Sequence, residues 1–376
     1  MKRSQALDVL RIIAVFMVLS RHVLPCPESE SPVVHFVTEF LGRGGWVGVD
    51  LFFVLSGFLV STLLFSEFQI HGSISFRRFF ARRGLRIYPM FFLLIAVTVG
   101  KELSRQGEFR LRELLSEIFF LQSYIQGMWS HTWSLAVEEH FYILLPLLLI
   151  GMLRSRRSEK NPFSHLPYVC MAVASFCLGL RVLNAYHCPF DLKTHLHHSH
   201  IRLDALFFGV LLSYCQHFHR DMFTRVGLRF RRGLFPLGFT CLAPAFLLPL
   251  NEAKFIYTFG LTLFYIGSGM LVVAAATSPR IDNRIVRYTG FLGSHSYSIY
   301  LWHGPALVWG TIIAERISGS RSWWTYASVY WIGSFGLGTV LSILLEKPCL
   351  AFRDRYFPSR SSLNRATSAH AAIALP

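Results

Sequence analysis

The sequence predicts an all-α integral membrane protein of about ten transmembrane helices, with both termini cytoplasmic. Three observations predict it. Of the 376 residues, 53% are hydrophobic and only 15% charged, whereas soluble domains carry about a quarter charged residues. The apolar residues gather into runs of roughly twenty, the length a helix needs to cross a bilayer. The formal net charge is +16, and the basic residues sit between those runs, as the positive-inside rule requires. The same figures exclude other classes. Disorder needs low hydrophobicity, and seven cysteines are too few for a disulfide scaffold. Arginines scattered over separate short loops argue against a nucleic-acid binder.

The ten runs lie near 7–24, 46–66, 87–101, 133–153, 166–186, 201–218, 234–250, 255–276, 291–313 and 323–345. The first has an apolar core at 12–19 behind Lys2 and Arg3, like a signal peptide. Asp8 and Arg11 interrupt it and no small-residue cleavage site follows, so it reads as a retained helix. In the second, Gly45, Gly48 and Gly57 permit close approach of a neighbouring helix. The third is short. The stretch 114–125 is apolar over only about 12 residues and reads as interfacial or re-entrant. The fourth starts at Thr132-Trp133-Ser134. In the fifth, sixth and seventh, Cys170, Cys177, Cys215 and Cys241 read as small core residues. Prolines interrupt the seventh. The ninth carries Ser296 to His303, and the tenth ends at Glu346-Lys347-Pro348. Residues 1–350 form one membrane domain, and 351–376 is expected to be a basic, disordered cytoplasmic tail.

Alternating the loops from an inside N-terminus places 24 of the 37 Lys and Arg residues inside and 9 outside, the other four falling within runs. That asymmetry supports ten spans. It also puts Cys26 and Cys188 on the outside, where they could pair in an oxidising compartment; the sequence leaves this open.

A charge at bilayer depth is expensive, so each one is a candidate for function. Arg11 and His22 lie eleven residues apart, close to three turns, and share a helix face about 16 Å apart along the axis. Snorkelling of Arg11 and an interfacial His22 would fit the same spacing. Asp50 must pair with something, and Arg11 and His22 are candidates. Five arginines, Arg77, Arg78, Arg82, Arg83 and Arg86, exceed what topology needs. They suit phosphate recognition or lipid-headgroup anchoring. Glu138 and Tyr142, four apart, face together near Glu139 and His140. The outer loop holds His187, His195, His197, His198 and His200, with spacing too irregular for a metal motif. Arg202 and Asp204 could pair or hold a polar substrate, and His303 falls mid-membrane.

Six pieces occur in order: Leu7-Asp8-Val9-Leu10-Arg11 through His22; Gly48-Val49-Asp50-Leu51-Phe52-Phe53-Val54-Leu55-Ser56-Gly57-Phe58; Arg83-Gly84-Leu85-Arg86-Ile87-Tyr88-Pro89; Thr132-Trp133-Ser134-Leu135 with Glu138 and Phe141-Tyr142; Arg202-x-Asp204; and Ser296-Tyr297-x-x-Tyr300-Leu301-x-His303. Together, from Leu7 to about Pro348, they resemble the acyltransferase 3 family, membrane O-acyltransferases of bacterial polysaccharides, Nod factors and macrolides. Val9 replaces a usual glycine, Arg21 an apolar residue and His140 a glutamine. These departures leave substrate preference open.

The resemblance implies a multi-pass enzyme of the cell (inner) membrane. It would move an acyl group, usually acetyl, from acyl-CoA to a hydroxyl of a carbohydrate, glycolipid or macrolide, with no metal and no permanently bound cofactor. It implies His22 as general base or acyl carrier, supported by Arg11 and by Glu138 or Asp50. Arg82, Arg83 and Arg86 would take the CoA phosphates. Arg202, Asp204, Tyr142, Tyr297 and His303 would take the acceptor. The chemistry fits: a thioester-to-hydroxyl transfer needs a base near neutral pKa, which histidine supplies. The rival reading is a transporter of a small polar or anionic solute, since polar residues in spans mark permeation paths equally well. Inverted repeats or broken helix pairs would favour it, and neither is visible in the sequence.

Overall fold

A chain this apolar must satisfy its backbone amides internally, and among the described residues every regular element is helical. The computed structural model describes residues 4–104, 110–156, 159–279, 283–319 and 322–358. The helices are α1 (Gln5–His22), α2 (Pro32–Gly44), α3 (Gly48–His71), α4 (Phe76–Ser104), α5 (Leu111–Ile118), α6 (Trp133–Ser155), α7 (Leu166–His187), α8 (Leu203–Phe218), α9 (Arg220–Leu242), α10 (Pro244–Leu247), α11 (Leu261–Ala276), α12 (Arg284–Ser294), α13 (Ser296–Ser318), α14 (Trp323–Leu341) and α15 (Lys347–Tyr356).

Among the described residues, six helical stretches are long and apolar enough to cross a membrane: Pro32–His71, Phe76–Ser104, Ser130–Ser155, Leu166–His187, Ile256–Ala276 and Trp323–Tyr356. The other expected runs are also largely helical but more polar or shorter. Asp8, Arg11 and Arg21 charge α1, α8 has 16 residues, the first half of α9 is rich in arginine, and α13 carries tyrosines and His303. The apolar stretch after α4 forms only the eight-residue α5, too short to cross. Large apolar side chains stand on the outer faces: Ile332, Tyr168, Phe176 and Leu147 are more than half exposed. Such faces belong against lipid rather than water.

α3 lies at the centre, packed against α1, α8 and α11. Its contact with α8 is backbone to backbone. A Cβ at Gly57 would run into the Leu206 carbonyl, and one at Gly209 into the Val54 carbonyl. Small residues let helices approach this closely where lipid removes the hydrophobic drive for association.

Two sequence expectations change. The arginines at 77–86 lie on the first turns of α4, not in a loop. Arginine is a good helix former, and a 29-residue helix is about 43 Å long against about 30 Å of hydrocarbon. The basic turns can therefore project as helix. Residues 351–356, expected to begin a tail, are the end of α15, which packs on α4. The rest of that expectation falls on 359–376, outside the described residues, as do Lys2, Arg3, Arg105, Arg157, Arg280 and Arg321 from the charge count. Cys26 is buried, Cys188 is exposed, and both are free thiols.

Candidate active site

The first turns of α4 divide their arginines by face. Arg83 and Arg86 line a cavity of about 520 Å³ enclosed by α1, α3, α4, α6, α13 and the α14–α15 junction. Among the described residues neither makes a salt bridge; Arg83 lies over the Tyr142 ring, 4.9 Å from its centroid. Arg11 reaches the same cavity from α1 and bonds Asp8 at 2.8 Å. Arg82 does not line it: its guanidinium meets Asp354 of α15 at 3.1 Å. Arg353, two turns into α15 and not foreseen from the sequence, does line it.

The i, i+4 spacing of α6 puts Glu138 and Tyr142 on the cavity wall together. The Tyr142 hydroxyl donates to Glu138 Oε2 at 3.0 Å and lies 2.7 Å from Ser56 Oγ of α3. On α13, the Tyr297 hydroxyl donates to the Ile87 carbonyl at 2.8 Å and so ties α13 to α4. Ser298 and Ser342 both donate to Glu346 Oε2, at 2.7 and 2.6 Å, closing the α14–α15 corner.

Deeper in, the cavity ends at Ser134 and Tyr300. Their hydroxyls are 2.6 Å apart, and Tyr300 donates onward to the His131 carbonyl at 2.8 Å. Behind this pair stand three histidines. The His303 ring is 4.9 Å from that of His22 and 4.5 Å from that of His131. Each ring spends one N–H on a backbone carbonyl: His22 Nδ1 on Val18 at 2.9 Å, His131 Nε2 on Leu301 at 3.0 Å, and His303 Nδ1 on Tyr300. A carbonyl only accepts, so in the neutral rings the second nitrogen carries the lone pair. The buried Nε2 of His303 has no hydrogen-bond partner among the described residues. The three rings thus form one cluster, each with one nitrogen not spent on a carbonyl, and no carboxylate is in ion-pair contact with His22 among the described residues.

His131 was also unforeseen. It sits on a short 3₁₀ turn before α6 rather than in an apolar run. A fully buried carboxylate holds that turn: Glu117 Oε1 accepts from the Trp129 N–H at 3.1 Å and the Thr132 hydroxyl at 2.9 Å. Burial pushes the Glu117 carboxyl up to about 7.

The remaining predicted residues lie elsewhere. Asp50 meets neither Arg11 nor His22; it accepts from Arg202 at 2.9 Å. Asp204 pairs with Arg181 of α7 at 2.7 Å, not with Arg202. All four are almost wholly buried between α3, α7 and α8, and none lines the cavity. In the histidine-rich loop, His197 stacks on Trp133 at 4.4 Å, while His198 and His200 stack on Tyr124. Burial pushes the His197 imidazole down to about 3. Among the described residues no group of three or more His, Cys, Asp or Glu side chains has the geometry to hold a metal ion.

Residues 4–347 match the family model described as "Acyltransferase domain". The chain is 28% identical over 332 residues to "Putative O-acetyltransferase SAS0844" of Staphylococcus aureus strain MSSA476, covering 81% of this chain and 50% of that protein. It is 27% identical over 304 residues to "O-acetyltransferase OatA" of Staphylococcus aureus strain NCTC 8325, covering 73% of this chain and 48% of that protein. The chain therefore spans about half the length of the curated relatives it matches. No solved structure matches it.

Proposed function

Since this chain belongs to the acyltransferase domain family, we propose that it is a multi-pass O-acyltransferase of the cell (inner) membrane. On this reading it spans the bilayer ten times with both termini cytoplasmic. It moves an acyl group, acetyl by analogy with the names of its relatives, from acyl-CoA to a hydroxyl of a carbohydrate or related acceptor. The observation that carries the reading is α1 itself. One helix presents Arg11 to the arginine-lined cavity and, about 16 Å on, His22 to the histidine cluster.

The division of labour follows from the chemistry of each end. Arg83 and Arg86 hold the CoA phosphates at the basic, cytoplasmic end, where bidentate forks suit them. Glu138, held by Tyr142, faces the acyl-bearing arm, and Arg11, bonded to Asp8 on the same cavity wall, lines the path of the pantetheine arm between the phosphates and His22. His22 Nε2 takes the proton of the acceptor hydroxyl as its oxygen attacks the acyl carbon. The C–S bond breaks, and the proton passes to the departing CoA thiolate. With His22 as acyl carrier instead, the same ester and thiol form in two steps. His303 orders the acceptor side, while Tyr297, on the same helix, fastens α13 to α4 at the donor cavity. Asp50, Arg202 and Asp204 position the outer halves of α3 and α8 around it.

His22→Ala tests the assignment. Mass spectrometry of envelope glycans and secreted metabolites should show an acyl mass difference with the wild-type gene. That difference should disappear in the variant while the protein is made and folded normally. General-base removal costs about 10²–10⁴ in rate; wild-type acylation in the variant would sink the role of His22.

A further inference from the structure

We infer that α15 completes the donor site and that Arg353 binds the phosphate end of the acyl-CoA. The inference rests on the donor assigned above. The family match runs to residue 347, the first residue of α15, and does not cover the rest of this helix. Leu350, Arg353 and Asp354 nevertheless form part of the wall of the cavity that holds Arg83 and Arg86.

The helix is anchored, not merely adjacent. Asp354 takes Arg82 of α4 at 3.1 Å. Arg82 also reaches the Phe357 carbonyl, and Arg78 the Pro358 carbonyl. Two of the five arginines at the start of α4 thus fasten α15, while Arg83 and Arg86 face the cavity. Between them, Arg353 is mostly buried, and its Nε and Nη2 both lie 3.0 Å from Asp354 oxygens. That contact takes the Nε/Nη2 edge and fixes the plane of the guanidinium, and the Nη1/Nη2 edge is the one left for a phosphate.

Asp354 is shared by two guanidinium groups, Arg82 and Arg353, so the corner keeps an excess of positive charge. An acyl-CoA carries a diphosphate and a separate ribose phosphate, more anionic oxygens than two arginines can engage. A third fork on the same wall suits that surplus. A phospholipid headgroup offers similar chemistry, and the test separates the two sources.

The experiment uses the full chain in phosphatidylcholine nanodiscs. Acetyl-CoA is titrated directly, and phosphate-free S-acetylpantetheine is measured by competition against it. Arg353→Gln should weaken acetyl-CoA about tenfold, the size of one lost charged hydrogen-bond pair, and leave S-acetylpantetheine unchanged. Arg353→Lys should recover part of the loss. Unchanged acetyl-CoA affinity in Arg353→Gln would overturn the inference and leave the donor assignment standing. Equal weakening of both probes would make Arg353 structural and also overturn it. A wild-type chain that binds neither probe would remove the donor assignment and the inference together. Phosphatidylglycerol added to the discs should leave the tenfold difference intact; its disappearance would reassign Arg353 to lipid headgroups.

Discussion

His303 announces itself because it interrupts a membrane-length helix, where a polar ring is costly without a purpose, and His22 because it ends α1 three turns from Arg11 on the same face. His131 completes the same cluster yet gives no such signal, because histidine on a short turn carries no visible cost. Arg353 is hidden for the opposite reason: in a run of basic residues it looks like topology. Glu117 is the least legible of all. Nothing in its neighbourhood shows that it will be buried beneath Trp129 and Thr132. Its buried carboxyl sits near 7, above the ordinary 4.5. A carboxyl raised on folding favours the folded state fully below the unfolded value, and that contribution is lost as pH rises through the folded one. The thermal midpoint of the detergent-purified protein should therefore carry a downward component between about pH 4.5 and 7. Glu117→Gln should remove that component. Identical pH profiles for the two proteins would show that Glu117 is not titrating in the fold.

Between elements, the sequence shows that a charge needs a partner but not which one. Asp50 and Arg202 are 152 residues apart, and only the packing of α3 on α8, made possible by facing glycines, brings them to 2.9 Å. Arg181–Asp204 adds a second buried pair beside the first. Removing one member of a buried pair strands a charge and costs about 3–5 kcal/mol, whereas replacing both by apolar side chains can be neutral. Arg202→Met should therefore lower the unfolding midpoint sharply, and Asp50→Leu combined with Arg202→Met should restore most of it. A single variant that unfolds like wild type would show that the pair does not hold α3 to α8. The arginines of α4 teach a related lesson. Their excess over topological need was visible, but their division between cavity and α15 depends on helix phase and on a partner over 270 residues away.

At the scale of the whole molecule, the family was legible across nearly the entire chain, because its motifs are the buried polar residues that an apolar background throws into relief. The helical class followed from hydropathy alone. Exact helix ends did not, since α2, α5 and α15 are short or amphipathic and give no hydropathy signal. The proposed orientation has a direct check in Cys188, an exposed free thiol on the predicted outer side. A membrane-impermeant maleimide should label it in intact cells, and Cys188→Ser should abolish that signal; labelling only after the membrane is opened would invert the orientation. The bonded hydroxyls of Ser134 and Tyr300, where the cavity ends, have an electrical consequence. Carrying one elementary charge through a membrane potential of 100 mV costs about 2.3 kcal/mol. In the proposed reaction the multiply charged nucleotide stays on the arginine side of that layer and only a neutral acyl group passes it. The enzyme can then work in an energised membrane without drawing on the potential or leaking it away.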